Sequence, residues 1–182
     1  ADGRLDAPVT LCSLVRAGVP YGVLLRRALA DLGVEAAHFG VSIIRDRGLD
    51  GVAMARILAD RPAGGVVFVD GWTGKGAIAG ELARAWGALT GRAPVLAVLA
   101  DPCGRAEISG SHEDWLIPSG ILGANVSGLI SRSILNPRVV GPGQTHACLK
   151  VDALADLDVS RAYVDRIAAI EVPPQTAREA EP

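Results

Sequence analysis

Residues 66–78 read Val-Val-Phe-Val-Asp-Gly-Trp-Thr-Gly-Lys-Gly-Ala-Ile. Four apolar residues run into one acid, and a glycine-rich loop then opens an amphipathic segment. That order predicts a buried strand, a tight loop and a helix, and so a sheet covered by helices. The loop Thr73-Gly74-Lys75-Gly76-Ala77 can wrap an anion, because glycine accepts positive φ and leaves no Cβ in the way. The helix behind it adds unpaired N–H groups and a positive dipole end. Asp70 would repel a phosphate, so its place beside such a cradle suits a sugar phosphate, with the acid on ribose hydroxyls. Two better-known phosphate loops fit less well. A P-loop needs glycine where Val69 stands and Ser or Thr where Gly76 stands. Residues 74–79 do read G-x-G-x-x-A, but those glycines lie too far past the strand for a dinucleotide fingerprint.

The rest of the chain alternates in the same way. Strands are expected at 9–14, 38–44, 66–69 and 95–100. Helices are expected at 20–32, with Tyr21, Leu24, Leu25, Ala28 and Leu32 as one stripe, at 51–59, and from 76 onward. The last of these is expected to bury Ile78, Leu82, Ala85 or Trp86, and Leu89. This is an α/β chain with a doubly wound, mostly parallel sheet, whose ligands belong at the carboxyl ends of strands. Beyond Asp101 the periodicity fails: 102–143 is rich in Gly, Ser and Pro, with a short strand or helix expected in 126–135. A last strand is expected at 147–151 and a helix at 160–170, with Tyr163, Ile167 and Ile170 inward. Residues 1–172 read as a single domain and 173–182 as a tail.

A length of 182 residues suits one domain with a substantial core. A net charge of −2 with interspersed signs argues against nucleic-acid partners. No apolar run is long enough to span a bilayer. Three widely spaced cysteines read as reduced thiols, which places the protein in the cytoplasm. Homodimer formation stays open. The first residue is Ala1 rather than methionine, which suggests a piece of a longer protein.

Two further loops should leave the sheet at the edge where Asp70 emerges. Arg16-Ala17-Gly18 follows the first strand, and Arg45 and Arg47 follow the second. A nest, an arginine turn and an arginine loop together suit a ligand with a monophosphate at one end and a pyrophosphate at the other. With these residues the chain resembles a type I phosphoribosyltransferase. Residues 16–18 look like that family's pyrophosphate loop, and 66–78 like its phosphoribosyl-pyrophosphate loop. The runs 68–78, Asp101-Pro-Cys-Gly104, 113–122 and 126–132 resemble more closely the phosphoribosyltransferase-like family of bacterial tellurite-resistance and stress operons, whose members are also labelled cysteine protease StiP. Members of that family tend to be longer than this chain.

The resemblance implies binding of phosphoribosyl pyrophosphate with Mg2+ and transfer of the phosphoribosyl group to a base-like acceptor. The pyrophosphate would lie on Arg16, Ala17 and Gly18. The ribose phosphate would lie on Asp70, Gly71, Trp72, Thr73, Gly74, Lys75, Gly76 and Ala77. Arg45 and Arg47 would be the catalytic, charge-stabilising pair, and Asp101 and Trp115 would meet the acceptor. One departure stands out: typical members carry two adjacent acids, and here Gly71 takes the second place. Two alternatives accompany this reading. A cysteine peptidase would use Cys103 as nucleophile, with His112 or His146 within reach, while Cys12 and Cys148 read as small core residues. A binding-only nucleotide-sugar module would keep the cradle without the chemistry.

Overall fold

The computed structural model describes residues 5–114 and 124–171. Five strands form one parallel sheet in the order β2-β1-β5-β6-β7: β1 is Val9–Leu14, β2 Ala36–Val41, β5 Val66–Trp72, β6 Val95–Ala100 and β7 Ile108–Ser111. Between β2 and the helix α2 (Gly51–Asp60) lies a two-stranded antiparallel ribbon of β3 (Ile43–Ile44) and β4 (Gly48–Leu49). The helix α1 (Gly18–Asp31) follows β1, α3 (Ala77–Thr90) follows β5, and α4 (Ser160–Ala168) closes the described chain.

Alternation along the central strands divides the core between the two faces. Leu11, Val67, Val69 and Ala97 meet Tyr21 of α1 on one face. Cys12, Leu14, Phe68, Leu96 and Val98 meet Leu82 and Trp86 of α3 on the other. Phe68 and Trp86 touch edge to face with ring centroids 5.1 Å apart, a favoured aromatic geometry. Gly18 is fixed by this packing: a Cβ there would overlap the carbonyl oxygen of Val69. Since β1 lies between β2 and β5, the connections leaving β1 and β5 diverge, and the crevice between them is the ligand position of an open α/β sheet.

The α/β class and the parallel sheet agree with expectation, and several details differ. β5 runs on through Trp72, so Asp70 and Gly71 pair within the sheet instead of following it. The expected second strand is split at Ser42 into β2 and β3. β7 lies inside the stretch expected to lack regular structure; its sequence Ile-Ser-Gly-Ser carries little β signal, and backbone pairing to β6 supplies it. Residues 147–151 add no strand to the sheet. They bridge antiparallel to the segment before them, Ile130 to Lys150 and Ile134 to Ala147. The helix stripes are narrower than expected: Leu32, Leu89, Ile167 and Ile170 are exposed, and Val164 is the buried residue of α4. Of the alternatives Ala85 and Trp86, Trp86 is the one fully buried. No described helix is long and apolar enough to cross a membrane.

Candidate functional site: an arginine-lined cleft and a cysteine at the sheet edge

The turn after β1, the β3–β4 ribbon and the first turn of α3 border a cleft of about 650 Å3, lined among others by Arg16, Ala17, Ile44, Arg45, Ile78 and Arg132. Two of the expected arginine loops therefore meet here. Arg16 and Ala17 lie on the turn between β1 and α1, and Arg45 lies on the turn between β3 and β4. Arg47, the other half of the expected catalytic pair, does not line it. Gly18 is already the first residue of α1 and buried, so the close approach it permits is to β5 and not to a ligand. Arg16 Nη1 donates to the Ile130 carbonyl at 3.1 Å, which ties this turn to the distant segment that carries Arg132.

The glycine loop enters α3 as a tight turn. Gly76 N–H donates to the Thr73 carbonyl at 2.8 Å, and Gly74 and Gly76 have φ of +56° and +81°, values that favour glycine. Gly76 is the N-cap of α3. Lys75 is exposed, and Ile78 in the first turn of α3 reaches the cleft. Trp72 is 40% exposed, and its Nε1 donates to Asp114 at 3.0 Å. Trp115 lies outside the described residues.

The two carboxylates of this edge live in opposite environments. Asp70 accepts one bond, from the Gly71 N–H at 2.8 Å. Burial among apolar groups, only partly offset by that bond, pushes its pKa up to about 7. Asp101 is buried, yet both its oxygens are occupied. It accepts from the N–H groups of Arg105 and Ala106 at 2.9 and 2.8 Å and from Thr73 Oγ1 at 2.8 Å. Burial pushes this carboxyl up, but those bonds and the Cys103 thiol outweigh it and hold the pKa below its ordinary value. Asp101 therefore pins the Cys103 turn to the glycine loop, in place of the acceptor contact expected of it.

The cysteines differ sharply. Cys12 is fully buried, and burial pushes its thiol up to about 12, so no thiolate forms there near neutral pH. Cys148, expected in the core, is exposed on the antiparallel segment. Cys103 is partly exposed, and its thiol donates to Asp101 at 3.7 Å. Its sulfur packs beside Gly76, where a Cβ would sit 3.2 Å from it. The histidines pair with serines: His38 Nε2 with Ser13 at 2.8 Å, His146 Nδ1 with Ser42 at 2.8 Å, and His112 Nε2 with Ser109 at 3.3 Å. Among the described residues no three His, Cys, Asp or Glu side chains gather as a metal site. None of the described residues lining the arginine cleft is a carboxylate, so those residues do not fit a protein-held Mg2+.

Arg132 and Ser133 are polar lining residues to which reading the sequence gives no site role. The run 126–132 carries Arg132 into view as the end of a motif, with Ser133 just after it, but only the fold turns that segment toward β1.

With this geometry in view, comparison with known proteins is informative. Residues 3–168 match the family model described as tellurite-like stress resistance cysteine protease StiP. The chain belongs to the StiP family. It is 47% identical to a curated protein named Cysteine protease StiP from Acinetobacter baylyi (strain ATCC 33305 / BD413 / ADP1), over 93% of this chain and 47% of that protein. The chain thus spans about half the length of the curated relative it matches. No solved structure matches it.

Proposed function

We propose that this StiP-family chain is a cysteine-dependent peptidase of stress resistance, with Cys103 as its nucleophile. The observation that carries the reading is the place of the Cys103 sulfur beside Gly76, the N-cap of the 14-residue helix α3. A helix N-terminus presents backbone N–H groups that have no partner within the helix. The same unpaired N–H groups can accept the oxyanion that forms when the thiolate attacks a peptide carbonyl. The general base fits His112. Ala100 of β6 and Ser111 of β7 are register partners, so His112 leaves the sheet on the strand next to the Cys103 turn. In the reaction the imidazole takes the thiol proton, sulfur bonds to the carbonyl carbon, and the C–N bond breaks as His112 returns the proton to the amine. Water then hydrolyses the thioester. The family description and the relative's name, both cysteine protease, support this reading.

Hydrolysis of an unfolded protein substrate tests it. Cys103→Ala should abolish turnover and His112→Gln should lower it at least a hundredfold, while Cys148→Ser leaves it unchanged. Full activity in Cys103→Ala would overturn the assignment.

A second reading, phosphoribosyl transfer, is favoured by the meeting of Arg16 and Arg45 at one cleft beside the first turn of α3. On that reading Mg2+ arrives on the oxygens of phosphoribosyl pyrophosphate, since no described residue of the cleft lining is a carboxylate. Release of pyrophosphate in the presence of a base, retained in Cys103→Ser and lost in Arg16→Gln, is what it predicts.

A further inference from the structure

β7 is the last strand of the sheet, with β6 on one side and, among the described residues, no strand on the other. Its Ser111 carbonyl accepts from Asp101 N–H at 2.8 Å, so Ser111 turns its backbone groups toward β6. By the alternation of a strand, Ile108 and Gly110 turn theirs outward. Edge strands are commonly guarded against pairing by a charge or a proline, and Ile-Ser-Gly-Ser carries neither. Position 110 is closed to side chains, because a Cβ there would come within 2.9 Å of the Leu99 carbonyl oxygen. A glycine in a strand leaves room for a second backbone to approach.

Beside this edge lies a groove of about 290 Å3, separate from the arginine cleft. Leu24, Leu25 and Ala28 of α1 wall it on one side, and Ala97, Leu99 and Ile108 of the sheet line the other. Ala97 and Ile108 are register partners, so both point to the α1 face, and Leu99, next but one along β6, points there too. Leu25, Leu99 and Ile108 are 37%, 45% and 51% exposed, so one groove holds three large apolar side chains open to solvent. The edge accepts a backbone and the groove accepts apolar side chains. An extended peptide supplies both together, since alternate side chains turn to one face of a paired strand.

The same edge leads to the site of the proposed chemistry. Ser111 and Ala100 are register partners; His112 follows the first, and the Cys103 turn follows the second. A chain on the outer edge of β7 lies two strand spacings, about 10 Å, from the line of β6. About three extended residues cross that distance. We propose that the open edge of β7 and the groove beside it dock an extended peptide, its backbone on Ile108 and Gly110 and its aliphatic side chains between Leu25, Leu99 and Ile108. That this peptide is the substrate rests on the peptidase reading; the docking itself needs no thiol.

Fluorescence anisotropy of a labelled, unstructured decapeptide with leucine at alternate positions, titrated with the Cys103→Ala chain, separates docking from cleavage. The peptide should bind, and replacing its leucines by serine should weaken binding about tenfold to a hundredfold, the loss expected when buried aliphatic side chains are removed. Of two peptides N-methylated at alternate amides, one should lose binding, because only one set of N–H groups faces the edge. Ile108→Asp and Leu25→Asp, each in the Cys103→Ala chain, should weaken the leucine peptide about tenfold or more. Leu25 lies on an outer position of a helix, so its variant tests the groove without touching the sheet. Leu89→Asp, at an exposed leucine of α3 outside the groove, should change nothing. With Cys103 intact, the two groove variants should lower kcat/KM for the leucine peptide by the same factor. No binding of the leucine peptide, equal binding by both methylated peptides, or unaltered affinity in both groove variants would overturn the docking site. Docking that obeys these variants in a parent that cleaves no peptide would overturn the peptidase reading alone.

Discussion

Asp70 and Asp101 stand at the carboxyl ends of neighbouring strands, and their surroundings give them opposite protonation. Burial raises Asp70 to about 7 from an ordinary 3.8, so between those values the folded protein holds a proton that the unfolded chain has released. Its contribution to stability is complete below the lower value and lost as pH rises through the upper one. Asp70→Asn should therefore melt a few degrees above the parent at pH 8 and converge with it near pH 4, as read by thermal denaturation across pH. Asp101 works in the other sense. Its lowered pKa means that the stability it confers is present above the ordinary carboxylate range and lost as pH falls through the folded value. Asp101→Ala leaves the N–H groups of Arg105 and Ala106 without their acceptor. It should cost about 2–4 kcal/mol by chemical denaturation. The sequence marks both residues as acids ending apolar runs and gives them similar ligand-facing roles. What separates them is the backbone of residues 105–106 folding back onto Asp101, a contact with no periodic or compositional trace.

At the scale of elements, the strands rich in Val, Leu and Ala were legible because a parallel strand buried on both faces reads as a continuous apolar run. β7 was not, since Ile-Ser-Gly-Ser is held by its neighbour's backbone rather than by its own side chains. The ribbon of 129–151 was legible only as motifs. Its position depends on bonds between residues about a hundred apart, Arg16 to Ile130 and Asp50 to His146. Gly18 stands in the sequence as a residue of close ligand approach, and in the fold the helix start crosses β5 too closely there for any Cβ. Gly18→Ala should accordingly destabilise the fold by about 1–3 kcal/mol through overpacking, measured by urea denaturation. Asp50→Ala removes the α2 cap and one fastener of the ribbon together. It should cost about 1–3 kcal/mol and raise hydrogen exchange at the His146 amide in particular.

Over the whole molecule, the order β2-β1-β5-β6-β7 places three structures at one edge: the arginine turns, the α3 N-terminus and the Cys103 turn. The glycine loop and the arginine of the first turn stand out in the sequence by residue type and spacing alone. The relation of Cys103 to α3 does not, because it requires β6 to lie beside β5 and Asp101 to hold the turn against Thr73. The central claim is that this sulfur is the nucleophile. Its most direct test is intact-mass and peptide-mapping spectrometry of the chain quenched during turnover of an activated peptide ester. The account predicts a thioester adduct on Cys103, absent from Cys103→Ala and unchanged in Cys148→Ser. An acyl adduct on any other residue, or ester turnover that persists undiminished in Cys103→Ala, would contradict it.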